Sequence, residues 1–151
     1  MPANFNPIYT LTPNVGVGKI TQTAALVSSH GVGVVDTSLF VAFTAGANGS
    51  FVQRIRFNAI ASAAAVNTVA TTLRVFLSSV NTGTTTSANT SLLAEVSVPG
   101  TLSTSNSTNS TLYYDVPLNI AIPTGRYILI SQHVAQTANQ QWQGTAFGGD
   151  Y

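Results

Sequence analysis

The sequence predicts an all-β protein: one antiparallel β-sandwich of about eight strands, jelly-roll-like in form. Three observations lead there. Apolar residues recur at period two in short runs, as they do along half-buried strands. Clusters of Gly, Pro and Asn punctuate those runs at the spacing of antiparallel sandwiches and barrels. No apolar stripe persists at helical spacing, and β-branched residues are abundant throughout.

In chain order, residues 19–26 and 32–43 are the first two candidate strands. Residues 50–62 follow, opened by Ala45-Gly46-Ala47-Asn48-Gly49, whose Asn-Gly pair is a hairpin-turn signal. Alternation across 50–62 puts Phe51, Ile55, Phe57, Ala59 and Ala61 on the core face, with Gln53 a polar exception, and Val52, Arg54, Arg56, Asn58 and Ile60 on the other face. Residues 59–71 are Ala-rich, but Val66, Thr68, Val69, Thr71 and Thr72 favour strand or loop over helix. Residues 71–80 place Leu73, Val75 and Leu77 inward, and residues 91–98 end at Pro99-Gly100. Residues 111–118 and 126–134 flank Ile122-Pro123-Thr124-Gly125, where Pro and Gly suit successive turn positions. Residues 141–147 form the last strand. The polar stretches 82–90, 101–110 and 135–140 read as loops; the sequons at Asn89, Asn106 and Asn109 follow from a Ser/Thr/Asn-rich composition rather than from glycosylation.

A chain of 151 residues fits a single domain, 1–151, with 1–12 a possible extended N-terminal arm. It has no cysteine, so disulfide frameworks and thiolate metal sites are excluded. Met1 to Asn6 shows neither the basic start nor the apolar run of a signal peptide, and no apolar run approaches membrane-spanning length. Charge is the unusual quantity: five Lys and Arg against four Asp and Glu, 6% of the chain, where about a quarter is ordinary. A net charge of +1 makes no case for nucleic acid or an anionic membrane. A surface with so few charges to desolvate suits a part that sits against other proteins. Its edges, with so few charged gatekeepers, would be a liability in a free monomer, and a symmetric oligomer would cover them.

Chemistry finds little purchase. His30 and His133 lack metal-ligand spacing, there is no Gly-x-Ser-x-Gly elbow, and nothing in the spacing of Asp36, Glu95, Asp115 and Asp150 requires a catalytic pair. No enzyme, no cofactor and no metal are expected. Interface residues are the more productive reading. Arg54 and Arg56, two apart on a strand, form either a docking patch for an acidic protein surface or solubilising decoration. Arg74 and Phe76 belong to the same patch if Leu73 and Val75 are core. Trp142, among Gln140, Gln141 and Gln143, reads as a core plug or interface anchor ahead of a sugar-stacking platform. Phe5, Tyr9, Phe147 and Tyr151 are aromatic anchors near the two ends, so one terminal segment (1–12 or 145–151) is expected to pack on an adjacent subunit.

The turn motifs Leu11-Thr12-Pro13-Asn14-Val15-Gly16, Phe43-Thr44-Ala45-Gly46-Ala47-Asn48-Gly49-Ser50, Ile122-Pro123-Thr124-Gly125-Arg126 and Thr145-Ala146-Phe147-Gly148-Gly149-Asp150-Tyr151 resemble those of small tailed-bacteriophage virion proteins, the capsid decoration (cement) proteins among them. The resemblance implies a β-sandwich, an oligomer that is commonly a homotrimer, a place on the capsid exterior with the major capsid protein as partner, and synthesis in the host cytoplasm. It brings no active site with it. The competing reading is a tail-fibre or receptor-binding module that recognises a host glycan through Trp142 or the loop 82–90.

Overall fold

The computed structural model describes residues 10–63, 66–100, 103–104 and 112–151, and every regular element among them is a strand. Eight strands are long: β1 (Thr12–Ile20), β2 (Phe40–Thr44), β3 (Ser50–Ala61), β4 (Thr71–Ser78), β5 (Thr90–Val98), β6 (Tyr113–Ile122), β7 (Tyr127–Gln132) and β8 (Gln140–Asp150). They form two four-stranded antiparallel sheets, ordered β1-β8-β3-β6 and β2-β7-β4-β5. Two short ladders, Gly33–Val34 with Thr84–Thr85 and Val66–Asn67 with Ser103–Thr104, stand outside them.

The pairing follows a simple rule. Strand β4 lies beside β5, β3 beside β6, β2 beside β7 and β1 beside β8. One long hairpin, its first four strands laid against its last four and then rolled up, gives that order, which is the double Greek key of a jelly roll. The core between the sheets holds Phe43, Ile55, Phe57, Val75, Ile130 and Trp142, all at most 1% exposed. Trp142 meets Tyr114 in a tilted ring contact, centroids 6.0 Å apart. Glycines let the sheets close at one edge: a Cβ on Gly16 would collide with the Ala42 carbonyl oxygen, and one on Gly18 would come within 2.8 Å of the Val41 oxygen.

Several local expectations change. Of residues 19–26 only Lys19 and Ile20 are in a strand, the end of β1. The chain leaves β1 at Ile20 because the Gln132 side-chain amide takes the carbonyls of Thr21, Gln22 and Ala24, at 3.1, 3.3 and 2.7 Å, which a neighbouring strand would otherwise use. Residues 32–43 break in the middle, where Asp36 adopts φ 64° and its N–H donates to the Leu39 carbonyl. The last strand is longer than 141–147 and lies inside its sheet, with β1 on one side and β3 on the other. In β3 the alternation slips at Gln53. Phe147 faces Arg54 while its neighbour Gly148 faces Val52, so Gln53 is an extra residue, a β-bulge. The slip exchanges faces: Val52 is buried in the core and Phe51 lies half-buried on the outside, the reverse of strict alternation. Gln53 is thus no polar exception in the core.

Segment 21–39 lies across the outer face of the β2-β7-β4-β5 sheet as a strap. Leu26, Val35 and Leu39 pack there on Phe76 and Leu129 as a second buried cluster. Both faces of β4 and β7 are therefore covered, and their side chains are buried almost without interruption. The other sheet has no such cover among the described residues.

Candidate functional site

Register lays out the uncovered face in rows. One row runs Val15, Phe147, Arg54, Pro117; the next runs Val17, Thr145, Arg56, Asp115; a third runs Lys19, Gln143, Asn58, Tyr113. Period two makes these the outward positions of β1, β8, β3 and β6, and the bulge at Gln53 turns Arg54 and Arg56 outward while Ile55 and Phe57 point in. Val15 is 57% exposed, Val17 51% and Tyr113 49%, a high apolar content for the open side of a sandwich.

The arginines are held differently. Arg56 donates from Nε and Nη2 to the two oxygens of Asp115, at 2.8 and 2.7 Å, a bidentate pair. Arg54 Nε stays 3.8 Å from Asp115 Oδ1, within ion-pair range but short of a hydrogen bond. Each guanidinium lies over an aromatic ring, Arg54 over Phe147 at 4.6 Å and Arg56 over Tyr113 at 4.4 Å. The hydrogen bond from Arg56 holds the Asp115 carboxyl below its ordinary range, and the same bond raises Arg56. Lys19, Arg54 and Arg56 share the face with a single carboxylate, Asp115, so it is cationic. Beside Arg54 a shallow groove of about 310 Å³ opens between Val15, Phe51, Gln53, Phe147, Gly148 and Gly149.

Arg74 and Phe76 do not join this patch. They sit on the other sheet, under the strap, at 7% and 0% exposure. Arg74 Nε donates to Glu95 at 2.6 Å, and its Nη1 donates to the Leu26 carbonyl at 2.7 Å. A burial pattern with two covered faces was hidden because the strap's apolar residues are scattered, and only the run of apolar residues in β7 hinted at it. Trp142 is fully buried in the core and so is neither an interface anchor nor a sugar platform. Phe147 is on the open face. Tyr151 folds back on its own chain: its N–H donates to the Gly49 carbonyl, and Asn48 Nδ2 reaches its carbonyl. Residues 145–150 are ladder-paired within their own sheet, so the C-terminal segment is not an arm. Phe5 and Tyr9 lie outside the described residues. Tyr113, Phe51 and Val15 are members of the face that sequence reasoning missed; finding them required the register.

For acid–base chemistry the described site offers little. A second hollow of about 170 Å³ is lined by Gln22, Ile60, Ala61, Ser62, Asn139 and Gln141, none of which titrates near neutrality. Among the described residues no three His, Cys, Asp or Glu side chains gather to hold a metal ion.

Fold and face together define a jelly-roll sandwich with one side covered by its own chain and the other uncovered among the described residues. No protein-family model matches the chain, and no curated protein does. Among solved structures it is similar to the VP2 subviral particle of infectious bursal disease virus, at 16% identity and a TM-score of 0.32, over 99% of this chain and 37% of that one. Structures of the Gx and Gt strains of the same virus match at 12% and 14% identity, with TM-scores of 0.29 and 0.26. They too are matched over 99% and 98% of this chain but only 37% and 36% of theirs, so the chain spans little more than a third of each.

Proposed function

We propose that this chain is a virion structural protein, and within that class a capsid decoration (cement) protein of a tailed bacteriophage. In this reading it has no enzymatic activity. A homotrimer binds the capsid exterior, and the open β1-β8-β3-β6 face stabilises contacts between major capsid subunits. The observation that carries the reading is the contrast between the two outer faces. One is covered by the strap with Leu26, Val35 and Leu39, while the other leaves Val15, Val17 and Tyr113 about half exposed around an arginine pair. Monomeric soluble domains seldom leave such a patch bare unless it meets something. Jelly rolls serve as viral shell domains and also as lectins, so the fold supports this by analogy only; the resemblance of the turn motifs favours the virion. The glycan-binding alternative loses Trp142, which is interior, and is left with the loop 82–90 alone.

Copy number tests the location. A mass-calibrated gel of intact virions should show hundreds of copies per particle; a few dozen or fewer would assign the chain to the tail. The oligomer is tested by sedimentation equilibrium at micromolar concentration. A homotrimer burying more than about 1,000 Å² per contact pair should persist there, and monomer alone would count against it.

A further inference from the structure

Of the two arginines on the open face, the geometry points to Arg54 as the one that receives the partner, and to a carboxylate on an apolar protein surface as what it receives; this rests on the docking role proposed above. Arg56 already has its carboxylate, through two hydrogen bonds of 2.8 and 2.7 Å to Asp115. Asp115 is thereby engaged at both oxygens and leaves Arg54 at 3.8 Å. A guanidinium carries five N–H donors. Among the described residues Arg54 uses one in a hydrogen bond, from Nη1 to the neighbouring Gln53 Oε1 at 3.3 Å. It is nevertheless held in place over the Phe147 ring, Cζ 4.6 Å from the centroid. Its Nε is buried without a hydrogen-bond partner among the described residues, so the donors left for an incoming carboxylate are those of Nη1 and Nη2; a positioned cation offering two nitrogens side by side is what bidentate carboxylate recognition requires.

Charge selects the occupant. Lys19, Arg54 and Arg56 face one carboxylate, so a second copy brought face to face would set like charges together, whereas an acidic partner gains attraction and orientation. The groove beside Arg54, walled by Val15, Phe51 and Phe147, takes small apolar side chains. The segment that fits presents Glu or Asp flanked by residues such as Leu and Val.

The probe is a capped peptide, acetyl-Leu-Glu-Val-Thr-amide, with its Gln counterpart as control, titrated into the nitrogen-15-labelled full chain. The Glu peptide should move the Arg54 Nε–Hε signal and the Phe147 and Gly148 amides, while Arg56 stays still. Binding should weaken about tenfold or more with the Gln peptide and with Arg54→Met, as expected when a charge-assisted pair is lost. Arg54→Lys should recover only part of it, because the fork is missing. Asp115→Asn should tighten binding by releasing Arg56 as a second cation. Equal binding of the two peptides, or undiminished binding by Arg54→Met, would overturn the inference. So would self-association through this face, seen as an oligomer that Arg54→Glu dissociates. Shells decorated at full occupancy by Arg54→Met chain would also overturn it and leave the decoration role standing. A chain that binds the Glu peptide but is missing from virions would do the opposite.

Discussion

Asp150 accepts hydrogen bonds from Asn14 Nδ2 at 2.8 Å and from the Ser50 hydroxyl, so one carboxylate joins β1, the start of β3 and the end of β8. Those bonds, with the Gly46 N–H, hold its carboxyl below the ordinary value of 3.8. The unfolded chain then takes up the proton first as pH falls. The stabilisation is complete above about 4 and is lost as pH drops through the lowered folded value; Asp115, held by Arg56, acts in the same direction. We expect urea unfolding between pH 5 and 2 to show a stability slope at the acid end that Asp150→Asn makes shallower. Arg74 is the other residue with wide reach, since it ties the strap's Leu26 carbonyl to Glu95. Arg74→Ala leaves that carbonyl without its charged donor and should cost about 2–3 kcal/mol. Glu95 is well exposed, so Glu95→Gln should cost about 1 kcal/mol or less. Denaturation midpoints and the rate of proteolysis within residues 21–39 check both.

At the scale of the element, the Gln53 bulge decides which side chains the open face carries. Gln53→Ala should change stability by about 0.5 kcal/mol or less, the side chain being exposed. Deleting Gln53 should leave the fold in place at a cost of about 1–3 kcal/mol, since Val52 and Arg54 then follow each other on their present faces and keep their partners Gly148 and Phe147; soluble yield and circular dichroism would show it. Gly16→Ala should destabilise by about 1–3 kcal/mol, because the added methyl meets the Ala42 carbonyl and β1 must move off β2. The apolar runs between turns gave β3, β4, β5 and β7 with ends close to those observed, β3 through its alternation and β7 through an almost continuous apolar run. Strict alternation could not place Phe51 and Val52, since an inserted residue inverts the pattern beyond it. Residues 19–26 misled because Thr21, Gln22 and Thr23 have the composition of a strand, while the carbonyls of Thr21, Gln22 and Ala24 go to the side chain of the distant Gln132. The Arg54 and Arg56 pairing of faces was legible; the burial of Arg74 and Phe76 was not, since it depends on a strap from far along the chain.

On the scale of the molecule, the chain divides its few charges unevenly. Arg74 and Glu95 neutralise each other beneath and beside the strap, whereas Lys19, Arg54 and Arg56 stand on the open face with Asp115. Association through that face should therefore weaken with salt mainly in its on-rate, which stopped-flow binding to shells at 50 and 300 mM salt would measure. Removing residues 1–9 leaves the pairing of Leu11 N–H with the Asp150 carbonyl, and β1, in place. If those residues reach a neighbouring subunit, the shortened chain should keep its own unfolding midpoint and lose trimer stability or particle occupancy.

The rolled hairpin also has a mechanical consequence. The first residue of β1 stands opposite the last of β8, Thr12 against Asp150, in an antiparallel pair. Tension applied between those two points acts across the ladder at its end, and loads its hydrogen bonds one after another rather than all at once. A single molecule stretched from Thr12 to Asp150 should peel open at low force, strand by strand. Pulled instead from Ile20 and Asp150, at opposite ends of that same ladder, it must shear the bonds together and should resist more strongly. A subunit held on a pressurised shell would last longest if its attachments loaded it in that second direction.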